Sequence, residues 1–307
     1  MKQDYELVII GGGPAGLTAA IYAGRAKLDT LLIEKGLIGG QIINAEMVEN
    51  YPGFPQGISG FDLAEAIHQQ AKKYDVHQLD DEVIEISIEE AQKVVHLAAG
   101  GTCRARAVIV ASGSERRKLG VPGEEDFVGK GVSYCATCDG AFFGDQRVAV
   151  VGGGDAALTE ALFLTRFASK VTLIHRRDQL RASKIVQERA LSDPKIGVVW
   201  DTVVEEIVGD TMMSGLNLRN VKTKEQSFLE SEGLFIYAGL KPSIDCVKSI
   251  VSLDEAANII ANDLMETNIP GIFAAGDIRR NSGRQAIIAA GDGATAALSA
   301  EKFIQGI

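Results

Sequence analysis

Apolar and polar positions along the chain alternate between two periods. Residues 7–10 are a continuous apolar run of the kind found in a strand buried on both faces. Residues 14–24 carry helical spacing, and 30–33 form a second buried-strand run. Ser59 is placed to cap a helix over about residues 60–74, whose apolar positions are Phe61, Leu63, Ala64 and Ile67. Shorter strands are expected at 83–87, 94–98 and 107–110, the last running into Ala111-Ser112-Gly113. Strands alternating with helices predict an α/β fold built on parallel sheets.

The opening pattern then recurs. Residues 7–36 align without a gap on residues 148–177, at a constant offset (148 − 7 = 141). Ile9-Ile10-Gly11-Gly12-Gly13-Pro14-Ala15-Gly16 falls on Val150-Val151-Gly152-Gly153-Gly154-Asp155-Ala156-Ala157, and Leu32-Ile33 falls on Leu173-Ile174. The chain therefore holds two copies of one βαβ unit. Apolar β-type stretches follow the second copy at 197–200 and 234–237. After Pro242 the character changes, ending in a helix expected over about 284–304. The reading is of two Rossmann-like three-layer domains, the second inserted into the first: residues 1–114 with 246–307, and residues 115–245. A separate small third domain after Pro242 is the alternative that the pattern leaves open.

Each glycine cluster follows a strand and opens a helix, the context that gives a G-x-G-x-x-G meaning. Gly11 and Gly152 permit the tight turn, and Gly13 and Gly154 let backbone approach a pyrophosphate. Gly16 and Ala157 pack helix on strand. The phosphates would sit at the helix N-terminus, beside Pro14 and Ala15 in one copy and Asp155 and Ala156 in the other. A glycine-rich turn without a ligand is the plain alternative, and two gapless copies weigh against it. Glu34 lies 34 − 11 = 23 residues past Gly11, where a carboxylate accepts both hydroxyls of an adenosine ribose. At the same offset the second copy has His175, then Arg176, Arg177 and Arg181. That cationic cluster suits a 2′-phosphate and predicts NADPH; the alternative is a solvated basic helix start. The first site suits NAD or FAD. Residues 267–277, ending in Gly276-Asp277, resemble the C-terminal flavin motif of two-dinucleotide-binding flavoproteins, which favours FAD. An ordinary strand–turn is the alternative there. Arg284-Gln285-Ala286 then opens the last helix.

Composition narrows the picture. Of 307 residues, 31 are Lys or Arg and 41 Asp or Glu, a net charge of −10 that argues against nucleic acid or an anionic membrane as partner. Glycine is in surplus, with 34 residues against a usual share of about 7%. Residues 7–24 carry no charge, but five glycines and a proline make them a turn and helix, not a membrane span. Residues 1–6 lack a basic segment leading into an apolar one, so no signal peptide is read and a cytoplasmic location is expected. Four cysteines are too few for a disulfide scaffold. Cys103 and Cys246 are expected to be buried small hydrophobes. Cys135 and Cys138 form a CxxC whose i, i+3 spacing at a helix start is compatible with a disulfide. Half a zinc site or two inert cysteines are the alternatives; no second CxxC or His pair exists to complete a zinc site, and no metal is expected.

Taken together, the motifs resemble the low-molecular-weight, bacterial-type thioredoxin reductases over essentially the whole chain. The marks are residues 11–16, Gly39-Gly40-Gln41, Glu49-Asn50-Tyr51-Pro52-Gly53, Cys135-Ala136-Thr137-Cys138-Asp139, residues 152–157, His175-Arg176-Arg177 with Arg181, Gly276-Asp277 and Arg284-Gln285-Ala286. Leu180 departs from the aromatic residue usual before Arg181, and Leu240-Lys241-Pro242-Ser243 lies in a variable connection. The resemblance implies electron flow from NADPH through FAD to a Cys135–Cys138 disulfide and on to thioredoxin, in a homodimer. It implies that Gly40, Gln41, Asn50, Ala111 and Gly113 join the FAD site. Cys138 would face the flavin, Cys135 would be the interchange thiol, and Asp139 would move the proton, unless it is only a helix-start cap. A rotation about residues 113–117 and 240–246 would let one flavin meet both nicotinamide and disulfide. Phe142-Phe143 is read either as a docking surface for thioredoxin or as core. His68, His77 and His96 are read as structural or solvent-facing. A flavin dithiol oxidase would not need the arginines, a peroxiredoxin-reducing relative would carry an added N-terminal redox domain, and a nucleotide-binding redox sensor would not need the CxxC-Asp.

Overall fold

The computed structural model describes residues 3–307; Met1 and Lys2, which open the segment read for a signal peptide, lie outside them. The chain divides into two compact units, residues 1–115 with 241–307, and residues 116–240. The return to the first unit falls at 241, five residues before the expected 246. The residues between belong there physically: Ile244 is buried in its core, and the Ser243 N–H donates to the Gly113 carbonyl at 3.0 Å.

In the first unit the sheet runs Val76–Asp80, Thr30–Glu34, Asp4–Ile10, Thr102–Val110, Gln92–Leu97, Val83–Glu89. The first four strands are parallel, and Gln92–Leu97 is antiparallel to both its neighbours. The long strand Thr102–Val110 serves two partners. Its first half pairs with Gln92–Leu97, and Val108, Ile109 and Val110 pair in parallel with Ile272–Ala274. That short strand delivers Gly276-Asp277 to the same sheet end as Gly11. The strand Asp4–Ile10 is apolar throughout its second half because both its faces are covered. Leu7 and Ile9 enter a core with the helices Pro14–Arg25, Gly60–Ala71 and Ala286–Gln305. Val8 and Ile10 enter another with Val95, Ile244 and Val247. Ser59 caps its helix as expected, accepting the Asp62 N–H at 3.0 Å, but the helix ends at Ala71 rather than Tyr74.

The second unit repeats the plan. Its five-stranded parallel sheet runs Ile196–Val199, Lys170–Ile174, Arg147–Val151, Gly233–Ile236, Val132–Ser133. One face packs on the helix Asp155–Leu164. The other packs on an antiparallel meander, Thr202–Gly209, Met213–Asn220 and Gln226–Glu230, which the apolar pattern did not predict. Its strands are half-exposed and charged, so they lack the continuous apolar run of the central strands. Where the chain passes from one unit to the other, Ser114–Arg116 and Leu240–Pro242 pair as a two-stranded ribbon.

Candidate active site

The first glycine turn is shaped for close backbone approach. Gly11 has φ +105°, and a Cβ there would stand 2.4 Å from the Ala111 carbonyl oxygen. A Cβ on Gly16 would stand 1.7 Å from the Gly11 carbonyl oxygen, so both positions exclude a side chain. Gly13 caps the helix that opens at Pro14, and no side chain caps that first turn. Beside Gly13 lies open space bounded by Gly40, whose Cα would be 3.9 Å from an added Cβ. Bare backbone at the positive end of a helix dipole is a geometry that suits an anion such as phosphate. Glu34 is half-buried at the end of its strand, and its carboxylate accepts the Gly12 N–H at 2.5 Å and the Gly36 N–H at 2.8 Å. It therefore braces the turn.

The remaining residues expected at the first site lie in the same unit. Gly40 and Gln41 start a 3-10 helix, Gly40–Asn44. Asn50 is exposed, and its amide donates to Gln285, which caps the last helix at Ala286. Ala111 is buried beside Gly11, and Gly113 has φ +64°. Asp277 sits in the short 3-10 turn Gly276–Ile278 and accepts the Ser282 hydroxyl at 3.2 Å. Burial raises its carboxyl above the ordinary range, partly offset by Ser282 and by the charge of Arg284. Two residues that no sequence motif marks hold this turn. Asp292, buried in the last helix, takes the Gly276 N–H at 3.0 Å and the Arg279 guanidinium through both oxygens.

The second turn differs in detail. Gly154 caps the helix that opens at Asp155, again with no side-chain cap, and nothing lies within 4 Å of where its Cβ would be. Gly152 is crowded by Ala157, whose Cβ would be 2.5 Å from a Cβ there. Ala156 is exposed. Asp155 is turned to its own chain, accepting the Ser183 N–H at 2.8 Å, and the Arg181 N–H donates to the Gly153 carbonyl at 2.7 Å. These bonds hold residues 181–183 against the turn. The cationic cluster separates: Arg176, Arg177 and Arg181 are exposed, whereas His175 is buried. Its ring fills the space over Gly153, where a Cβ would come within 2.3 Å, and it bonds the Gln179 carbonyl at 3.0 Å. In this structure His175 shapes the arginine loop from beneath. The cluster is a loop, not a helix start; the following helix is Lys184–Ser192.

The cysteine pair lies in the second unit, just after the strand Val132–Ser133. Cys135 and Cys138 are disulfide-bonded, with Cα atoms 5.3 Å apart. Cys135 caps the one-turn helix Ala136–Asp139; its sulfur accepts the Cys138 N–H at 3.2 Å and lies 3.3 Å from the Thr137 hydroxyl. Cys138 is exposed and Cys135 half-buried. Asp139 is half-buried and accepts the Ser133 hydroxyl at 2.6 Å. The same hydroxyl accepts the Cys135 N–H at 3.0 Å, so one serine joins the carboxylate to the first cysteine. Phe143 is buried, edge-on to Phe235, while Phe142 is among the most exposed apolar residues. Cys103 and Cys246 are buried, and burial pushes each thiol up to about 11. Among the described residues no cluster of His, Cys, Asp and Glu could hold a metal, and no helix is long and apolar enough to cross a membrane.

Two glycine turns on parallel sheets, with a disulfide in the second unit, define a dinucleotide-dependent disulfide oxidoreductase. Residues 5–293 match the pyridine nucleotide-disulphide oxidoreductase family. Thioredoxin reductase of Streptomyces coelicolor is 48% identical over 306 residues, 99% of this chain and 95% of the relative. That of Bacillus subtilis is 46% identical over 305 residues, covering 99% and 96%. The crystal structure of Lactococcus lactis thioredoxin reductase (FR conformation) superposes with a TM-score of 0.96 at 45% identity, covering 99% of this chain and all of that one. The chain belongs to the pyridine nucleotide-disulphide oxidoreductase family, in its thioredoxin reductase branch. It is an oxidoreductase whose cofactors are FAD and NADPH.

Proposed function

We propose that the protein reduces the disulfide of thioredoxin with electrons from NADPH, cycling Cys135–Cys138 between disulfide and dithiol. The observation that carries this reading is a disulfide whose capping sulfur, on Cys135, already accepts a backbone N–H, on the unit that also bears the second glycine turn. The chemistry that FAD would supply when bound is two-electron transfer from NADPH to the disulfide.

The chain's residues do the rest. The Gly11–Gly16 turn, Glu34, Gly40, Gln41, Asn50, Ala111, Gly113, Asp277 and residues 284–286 hold FAD on the first unit. The Gly152–Ala157 turn holds NADPH on the second, and Arg176, Arg177 and Arg181 take its 2′-phosphate. His175 keeps their loop in place. Cys138 accepts the electrons. Cys135 attacks thioredoxin, because the Cys138 N–H and the Thr137 hydroxyl stabilise charge on its sulfur. Asp139 moves the proton at the sulfurs, held by Ser133. One small unit carries both the disulfide and the nicotinamide site, so the two take turns at the flavin. The ribbon of Ser114–Arg116 and Leu240–Pro242 is the place for that rotation. The active protein is a cytoplasmic homodimer, with neither nucleic acid nor membrane as partner.

The test is anaerobic. NADPH added to the flavin-bound protein bleaches it, and oxidised thioredoxin then restores the flavin absorbance. Bleaching by NADH equally well, or no recovery with thioredoxin, overturns the reading. Replacing Cys138 by Ser and Cys135 by Ser in turn separates the two sulfurs: only the protein retaining Cys135 forms a mixed disulfide with thioredoxin.

A further inference from the structure

One side chain joins the second glycine turn to the cysteine pair. Tyr237 follows the strand Gly233–Ile236, and its backbone N–H donates to the Val151 carbonyl at 2.8 Å. Its Cβ lies against Gly152, where an added Cβ would stand 3.2 Å away. The Arg116 guanidinium covers its ring, 5.0 Å from the centroid. Pinned in this way, the phenol oxygen accepts the N–H of Ala136 at 3.1 Å. Ala136 is the residue between Cys135 and Thr137 and is fully buried. Burial, and then the charge of Glu160, keep the phenol protonated, its pKa raised to about 12.

We infer that Tyr237 is a positioning residue that sets the reducing power of the Cys135–Cys138 pair by holding the Ala136 amide in the disulfide state. The inference rests on the redox role proposed above for that pair. Its physical basis is a difference in freedom. The disulfide clamps the turn, so the Ala136 N–H cannot swing out to water and depends on the phenol oxygen. In the dithiol the turn is no longer closed covalently, and the amide can find water. A buried donor without an acceptor is costly, whereas a rehydrated one is not. The Tyr237 hydroxyl therefore stabilises the disulfide more than the dithiol, which makes the dithiol the stronger reductant.

The experiment is an equilibrium of the full-length, flavin-bound protein with glutathione. Two reduced glutathiones convert the protein disulfide to the dithiol and leave as one glutathione disulfide, so atoms and electrons balance. Tyr237→Phe keeps the ring and its packing and removes the acceptor. It is expected to shift the equilibrium about tenfold toward the dithiol, about 30 mV for this two-electron couple. An equilibrium within twofold of wild type, or a shift toward the disulfide, overturns the inference. A second measurement needs no variant: amide exchange at Ala136 in the unaltered protein is expected to be about tenfold slower in the disulfide than in the dithiol, and equal protection overturns the inference as well. If the wild-type pair does not exchange with glutathione at all, the redox reading falls and takes this inference with it. If the wild type exchanges and Tyr237→Phe matches it, only this inference falls.

Discussion

Asp292 and Arg279 meet in a two-pronged ion pair beneath the Gly276 turn, Nε to Oδ2 at 2.6 Å and Nη2 to Oδ1 at 2.7 Å. Both side chains are largely withdrawn from water, Arg279 at 16% exposure and Asp292 at 7%. Removing one partner strands the other's charge. Asp292→Ala is expected to lower stability by about 3–5 kcal/mol and to loosen the Gly276 turn. Urea unfolding checks the first effect, and release of flavin from the native protein checks the second.

Asp277 carries a folding cost from its burial. Its carboxyl is raised by burial, so folding takes up a proton at pH values between the ordinary and the raised pKa. Its contribution therefore worsens as pH rises through that window and improves as pH falls through it. The difference in melting temperature between Asp277→Asn and wild type should grow in the variant's favour as pH rises from 4 to 7. Flavin affinity should fall in the same variant. A pH-independent difference would contradict the burial argument.

The exposed arginines should decide between nicotinamide cofactors. Each hydrogen bond to a charged phosphate contributes about 1.5–3 kcal/mol, so losing two costs at least about a hundredfold in affinity. Replacing Arg176 and Arg177 together by Ala is expected to weaken NADPH by that much and NADH by less than about threefold. Titration of both nucleotides into the double variant measures this. Equal losses would place the 2′-phosphate elsewhere.

The Asp139 carboxylate reaches the Cys135 N–H through the Ser133 hydroxyl. Asp139→Asn is expected to slow reduction of the disulfide and exchange with thioredoxin by about 10²–10⁴-fold, the range for a positioned acid or base. Flavin reduction by NADPH should keep its rate. Stopped-flow traces of the two half-reactions separate these outcomes.

Cys103 and Cys246 should be silent toward thiol reagents. With thiols pushed up to about 11, about one in a thousand is thiolate at pH 8, and both are buried. Alkylation of the native oxidised protein should modify neither. After mild reduction, peptide mapping should find label on Cys135 and Cys138 alone.

The local chemistry of this chain is legible in its consecutive residues. Gly11, Gly16, Gly152 and Gly154 can be read because a strand–turn–helix is written in one short stretch, and a tight turn tolerates few alternatives. The gapless repeat makes the second βαβ unit visible for the same reason. The Cys135–Cys138 spacing shows that a disulfide is feasible, since both residues belong to one helical turn. Elements with mixed burial are harder. The strand Val76–Asp80 and the meander from Thr202 to Glu230 carry charge and half-exposed positions, so their period is blurred.

By itself, then, the sequence determined the elements whose reasons are local: the two glycine turns and the helical turn of the cysteine pair, with Glu34 following the first glycine turn and the arginines the second. The tertiary structure decided which side chains hold those parts in place. Arg279 finds Asp292 across 13 residues, Tyr237 finds Ala136 across 101, and Asn50 finds Gln285 across 235. No period or spacing encodes such pairs, because they exist only once the sheets have brought distant segments together. His175 shows the same limit from the other side. It stands beside two arginines in the sequence, yet packing against Gly153 turns it inward while they stay in water.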